Sequence, residues 1–316
     1  MPSPDPRVVL VTGASSGIGR AVAEQVAAAG DHVALLARDE GRLRVAAEEC
    51  TRAGAASTLV LPVDVSDDRA VAGGVDRLLA ERGRLDAVVH AAGVVAYGRT
   101  EEVPVEVFDG VVRTNLLGSV NVARHTLPVL RRQGAGSLLL VGSVIGHVAI
   151  PTMSAYVLSK WGVLALARQL ALENRDVPGV RVRYVAPGGV DTPIYDQAAN
   201  YAGYAGMPPP PAVSAARLAR RLLRRLEGRR PLEQLSVLNY ALIAGYRLLP
   251  KVYDALIGTA FPLGATDLGR PVPPGPGNVL ADRPEGERAE AHHGSSVRVV
   301  ALNVARHLSR RRRARP

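Results

Sequence analysis

Residues 7–12, RVVLVT, make a short apolar run that ends in a glycine-rich turn, and the following IGRAVAEQVAAAG repeats apolar residues at helical spacing until Gly30. This pattern predicts strand, turn and helix. The unit recurs: HVALLA (32–37) reads as a strand and 39–54 as a helix, STLVLPVDV (57–65) as a strand and 67–82 as a helix, then LDAVVHAAG (85–93) as a strand. A long helical pattern from Glu106 to Gln133 leads to the apolar strand GSLLLVGS (136–143), the helix SAYVLSKWGVLALARQLALEN (154–174) and the strand VRVRYVAPGG (180–189). Strands that alternate with helices pair in parallel, with crossover helices on both faces of the sheet. The expected fold is therefore α/β, a three-layer doubly wound Rossmann-like parallel sheet with six strands by residue 187 and a seventh in the 230s.

The regularity weakens after residue 190. MPPPPAV (207–213) interrupts it, a helical pattern runs from Ser214 to Glu227, and LSVLNYALIAGYRLLP (235–250) is strongly apolar. That last stretch is broken by Asn239 and Arg247 and falls short of the roughly 20 apolar residues a spanning helix needs, so it is expected to be buried or interfacial. One catalytic domain is expected over 1–263, with 194–263 holding a substrate loop or lid and divergent helices. Residues 264–296, rich in proline, glycine and charge, are expected to form an irregular linker. Residues 297–316 place Val297, Val300 or Ala301, Val304 and Leu308 on one face of a basic helical tail that extends the single domain.

Composition narrows the function. The single cysteine, Cys50, allows no intrachain disulfide and no cysteine cluster for zinc or iron–sulfur, and the seven histidines show no ligand spacing, so no metal is expected. MPSPDPRVVLVTG lacks the basic start and long apolar stretch of a signal peptide, and a cytoplasmic setting is expected. The net charge of +10 is unevenly placed, since residues 297–316 hold seven arginines and no acid.

Three glycines, Gly13, Gly17 and Gly19, occupy the first strand-to-helix turn in a GxxxGxG spacing, which lets the backbone approach a pyrophosphate held at the positive end of the next helix. At the end of the second strand, where an acid would bind the 2′-hydroxyl of NAD, the sequence reads LLARDE: Ala37 takes the strand end and Arg38 follows, able to meet the 2′-phosphate of NADP(H). A shift of one residue would bring Asp39 there and favour NAD(H). Asp64 and Val65 end the third strand beside the place for an adenine, and the small Ala92 and Gly93 end the fourth. YVLSK (156–160) sets Tyr156 and Lys160 one helical turn apart, on one face, in a chain with only two lysines. A tyrosine with a reference pKa of about 10 is a weak acid unaided, and a nearby ammonium would lower that value.

TGASSGIG, HAAG, TNLLG, the Gly-Ser pair ending in Ser143, YVLSK and PGGVDT follow one another in the order of the short-chain dehydrogenase/reductase family, which residues 7–192 resemble. One difference is HAAG (90–93), where the family often has Asn-Asn-Ala-Gly. The resemblance implies an NADP-dependent oxidoreductase with a catalytic tetrad of Asn115, Ser143, Tyr156 and Lys160. In it Tyr156 is the general acid/base, Lys160 tunes it and anchors the nicotinamide ribose, Ser143 orients the carbonyl, and Asn115 perturbs its helix and holds a water that feeds protons toward the lysine. Gly13, Ser15, Ser16, Gly17, Ile18 and Gly19 then hold the pyrophosphate, while Pro187, Gly188, Val190 and Thr192 lie by the carboxamide. Thr192 can at the same time cap a helix that starts at Pro193.

Val94, Val95, Ile145, His147, Met153 and Tyr195 supply the expected substrate pocket without concentrated charge, which favours an apolar or amphipathic ketone or alcohol. A homo-oligomer, dimer or tetramer, is the expected assembly. For the tail three readings stand side by side: a solvated end, an interfacial helix on a membrane, and a nucleic-acid arm, the last disfavoured by the lack of interleaved aromatics. The rival function is a non-catalytic NADP-binding regulator that uses the basic tail for contact.

Overall fold

A computed structural model describes residues 5–226, 232–282, 289, 291 and 293–313. Seven parallel strands form the central sheet: β1 (Val8–Thr12), β2 (His32–Ala37), β3 (Ser57–Pro62), β4 (Ala87–His90), β5 (Gly136–Val141), β6 (Val180–Ala186) and β7 (Leu232–Gln234). Their spatial order is β7-β6-β5-β4-β1-β2-β3. The seventh strand expected in the 230s is the edge strand β7. The chain winds outward from β1 to β3 and then returns to β4 on the other side, so a crevice opens between the carboxyl ends of β1 and β4.

Alternation along β1 explains the three layers. Val9 and Val11 face one apolar cluster, shared with α1 (Gly17–Ala28), α2 (Glu40–Ala53) and α7 (Ala215–Leu226), while Val8 and Leu10 face the other. That second cluster is completed by α3 (Asp68–Arg82), α5 (Gly118–Gln133) and α6 (Ser154–Glu173). Burial on both faces is why the strands read as continuous apolar runs. Asp39 and Asp67 start α2 and α3 by accepting the amides of Arg42 and Ala70, and Gly54, Gly83 and Gly134 end α2, α3 and α5 in left-handed conformation.

The long helix read over 106–133 is interrupted: α4 (Val105–Val112) passes through a π-helical turn, Arg113–Leu117, before α5 begins. The C-terminal third differs more from the sequence reading. α8 (Val237–Leu248) and α9 (Pro250–Ala265) form a helical hairpin, and the segment expected to be an irregular linker opens with a strand, Thr266–Pro271, antiparallel to Tyr204–Gly206. Beyond it Val279 is buried in a third apolar cluster with Val107 and Val111 of α4. Residues 283–288, 290 and 292 of that linker, Glu227 at the expected helix end and 314–316 of the tail lie outside the described residues. The tail forms α10 (Ser296–Arg313), but Val297, Val304 and Leu308 point outward, and the residue that docks it is the fully buried Asn303.

Candidate active site

The turn from β1 into α1 runs through Gly13 and Gly17, with φ of +67° and +54°, and a Cβ on Gly19 would sit 2.2 Å from the Gly13 carbonyl oxygen. Glycine is thus required here for conformation and for close packing. α1 has no acid in its first turn, and its N-cap Ser16 makes no side-chain cap bond, so the amide end of the helix faces the crevice. A cleft of about 840 Å³ lies over this turn, lined by Gly13, Ser15, Ser16, Gly17, Ile18, Arg38, Asp64, Val65, Ala92, Gly93 and Thr192. Gly19 shapes the turn from behind. Asp64 also accepts the Ser66 amide at 2.8 Å, so it serves the turn as well as the cleft. Thr192 makes no cap bond; its buried side chain lies 3.5 Å from where a Gly17 Cβ would be.

The end of β2 separates the two acidic and basic candidates. Asp39 accepts the Arg42 amide at 3.0 Å and its guanidinium at 3.2 Å, which ties it to the start of α2. Arg38 and Arg42 line the cleft. The Arg38 guanidinium donates to the Asn278 carbonyl at 2.9 Å and to Asp282 Oδ1 at 2.7 Å, and both of those residues line the same cleft from the C-terminal segment. Sequence reading missed them because no local pattern marks a contact across 240 residues.

Asn115 sits in the π turn, where it is buried. Its Oδ1 accepts the Val94 amide at 2.8 Å, and its Nδ2 donates to the Val94 carbonyl at 2.9 Å and to Ser159 Oγ at 3.0 Å. The side chain thereby locks the loop after β4 to α6. Ser143 follows β5, held by Tyr184, whose phenol donates to the Ser143 carbonyl at 3.2 Å and accepts its amide at 3.4 Å. The sequence reading missed this contact of Tyr184; its polar-tipped ring among the apolar residues of β6 was the available signal.

The Ser143 hydroxyl accepts the Ile145 amide at 3.3 Å and lines the same cavity as the Tyr156 phenol, whose pKa it lowers. Lys160 donates to the Val141 carbonyl at 3.2 Å and its ammonium lies 5.6 Å from the centre of the Tyr156 ring. Burial pushes the phenol up to about 12, against the lowering by Ser143, and holds the lysine down at about 8. The net lowering of Tyr156 expected from its lysine is therefore not found in the free protein: desolvation dominates, and the group that opposes it is the Ser143 hydroxyl rather than Lys160. His90 at the end of β4 adds a further buried group. Its Nδ1 pairs with Thr12 Oγ1 at 2.8 Å, its Nε2 has no partner among the described residues, and burial together with the Lys160 charge brings it to about 3.

The model of the short chain dehydrogenase family matches residues 7–201. The chain belongs to this family. Among its relatives, the 2-(R)-hydroxypropyl-CoM dehydrogenase of Xanthobacter autotrophicus is 36% identical over 191 residues, 60% of this chain and 76% of that one. The alcohol dehydrogenase of the archaeon Thermococcus sibiricus, solved with 5-hydroxy-NADP, superposes with a TM-score of 0.63 at 31% identity, covering 73% of this chain and 95% of that one. A metagenomic short-chain oxidoreductase solved with NADP gives 0.62 at 27%, covering 73% and 96%.

In this short-chain dehydrogenase a second cavity, about 710 Å³, adjoins the glycine-lined cleft through Ile18, Thr192 and Ile194. Ser143 and Tyr156 line it, with Pro187, Gly188 and Val190 on one wall. Of the expected substrate contacts, Val95, Ile145, Met153 and Tyr195 line this cavity, and Val94 lines the cleft instead. His147 is turned away, its Nε2 2.8 Å from Gln234 Nε2 of β7 and its ring against Tyr184. Tyr97, Met207, Pro209, Phe261 and Ala265 complete the walls. The last two come from α9, out of reach of any motif around the tetrad.

Proposed function

We propose that the chain is an NADP(H)-dependent oxidoreductase acting on a carbonyl or secondary alcohol of an apolar or amphipathic substrate, with Tyr156 as general acid/base. The observation that carries this reading is the position of Ser143 and Tyr156 in the wall of an apolar cavity that shares three residues with the glycine-lined cleft. The bound dinucleotide would supply or accept the hydride at its nicotinamide.

The glycine turn and the amide end of α1 suit a pyrophosphate, and Arg38 with Arg42 suits a 2′-phosphate, whereas Asp39 is engaged at the start of α2. The NADP complexes of the similar archaeal and metagenomic enzymes support the same choice. Ser143 orients the substrate oxygen by its hydroxyl, Tyr156 gives or takes the proton on that oxygen, and Lys160 anchors the ribose while its charge steadies the phenolate. Asn115 positions the loop carrying Gly93 against them, since a Cβ on Gly93 would lie 3.2 Å from Asn115 Oδ1 and 3.7 Å from Lys160 Nζ.

The test is NADPH oxidation over a panel of apolar ketones. Tyr156→Phe should lower kcat by about 10²–10⁴-fold with NADPH affinity retained. Lys160→Arg, which keeps the charge but not the compact ammonium, should also lose most turnover while folding normally. Wild-type turnover in the Tyr156 variant, on a substrate the parent accepts, would refute the assignment.

A further inference from the structure

The hairpin of α8 and α9 is apolar beyond what its burial accounts for. Between Val237 and Ala265 the only charged residues are Arg247, Lys251 and Asp254, yet within the two helices only Asn239, Tyr253 and Ala265 are buried. Val237 is 86% exposed, Leu248 77%, Leu256 62% and Leu249, in the bend, 58%. A helix that is apolar on all sides belongs in a protein core or in lipid, and a contiguous exposed apolar surface marks an interaction site.

The hairpin is anchored at one side and free at the other. Tyr253 donates to the Ala149 carbonyl at 2.7 Å, and Tyr246 packs edge-on against Trp161 and Tyr253. Farther along α9, Phe261 and Ala265 line the apolar cavity beside Tyr156. α10 is fastened where α9 ends: Asn303 Nδ2 donates to the Leu263 carbonyl at 3.0 Å and to the Thr266 carbonyl at 2.7 Å. α10 exposes Val297, Leu302, Val304 and Leu308, and the sequence from 291 to 316 carries seven arginines and no acid.

We propose that the α8–α9 hairpin, with α10 beside it, seats this short-chain dehydrogenase on an anionic phospholipid bilayer, with the outer face of the hairpin lying in the membrane interface. Aliphatic side chains flanked by cations have the chemistry of an interfacial helix. A second copy of the chain would bring one acid-free, arginine-rich helix close to another of the same charge. A nucleic acid would gain nothing from exposed leucines and valines, which offer its bases no stacking surface. Neither helix of the hairpin is long and apolar enough to cross a membrane, so both lie along the surface. On the reading that the cavity beside Tyr156 takes substrate, α9 then leads from lipid to the site, and a lipophilic carbonyl compound can enter without crossing water.

The docking itself is tested without any activity measurement. Full-length protein is sedimented with phosphatidylcholine vesicles and with vesicles also containing phosphatidylglycerol. Binding should appear with the anionic vesicles and weaken as salt is raised. The triple variant Leu248→Glu, Leu249→Glu, Leu256→Glu, changed only at exposed positions, should bind at least about tenfold more weakly. Its thermal melting and NADP(H) binding should stay as in the parent. A second variant, with Arg310 to Arg313 replaced by glutamine, should lose the preference for anionic lipid. Wild-type protein that remains in the supernatant, or a triple variant that sediments as the parent does, overturns the proposal. So does a lipid-free dimer that the triple variant dissolves, which would give this face to a second copy. If vesicles bind but ketone turnover is absent, docking stands and the catalytic reading fails on its own.

Discussion

Tyr156 and Lys160 lie one turn apart on α6, and burial acts on the two in opposite directions, raising the phenol to about 12 and lowering the ammonium to about 8. At neutral pH both groups keep their protons, so under the proposed function the free site already holds the proton that a carbonyl oxygen would take. His90 follows the same rule with a different consequence. Its imidazole is held at about 3, below the ordinary 6.5, so between those values an unfolded chain binds a proton that the folded one excludes. Folding stability contributed by this group is complete above pH 6.5 and is lost as pH falls, at up to about 1.4 kcal/mol per pH unit. His90→Asn should remove that slope between pH 6.5 and 4.5 in urea titrations; parallel profiles for parent and variant would contradict it. Arg38 yields a second residue-level expectation. Its guanidinium is shared with Asp282, a half-exposed pair of the strength that solvent reduces to roughly 0.2–1 kcal/mol. A 2′-phosphate must compete with that carboxylate, so Asp282→Asn should tighten NADP(H) binding by up to about fivefold and leave NAD(H) unchanged, as read by calorimetry. Weaker NAD(H) binding in the variant would instead place Asp282 on a ribose hydroxyl.

At the scale of elements, periodicity alone was enough for β1 to β6 and for the helices that cover them, because each apolar run is buried on a face its own spacing defines. The motif residues of the site were legible for a related reason: Gly13 to Gly19 and Tyr156 with Lys160 are local spacings that one turn or one helix carries out. The π turn at Arg113–Leu117 was not visible in the periodicity, and only the family resemblance implied a perturbed helix at Asn115. Its mark in the sequence was the amide of Asn115 among apolar neighbours, and the structure gives that amide a backbone task. Asn115→Ala would strip partners from the buried amide and carbonyl of Val94 and should cost about 1–3 kcal/mol in urea unfolding, along with most turnover. Unchanged stability would mean that the loop after β4 finds other partners.

At the scale of the whole molecule, what sequence could not supply is the way the last third returns to the first. The Pro- and Gly-rich composition of 264–296 signals irregular chain, and local pattern says nothing of contacts with segments far away along the sequence. Those contacts decide the outcome. Thr266–Pro271 pairs with Tyr204–Gly206, Asn278 binds the backbone carbonyl of Gln197, Val279 fills a pocket against α4, and Asp282 reaches Arg38. A boundary near Leu263 therefore cuts through a packed region: it removes a strand, a buried valine, part of the cleft wall and the carbonyl-bound Asn303 of α10. A chain ended at Leu263 should melt several degrees lower, each kcal/mol lost being worth about 2–4 °C in a domain of this size, and should bind NADP(H) more weakly. Because the α8–α9 hairpin would also lose its support, that truncation tests the fold and not the bilayer contact. Equal melting temperatures for the two chains would show that 264–316 rests on a domain already complete, and would restore the boundary that composition alone suggests.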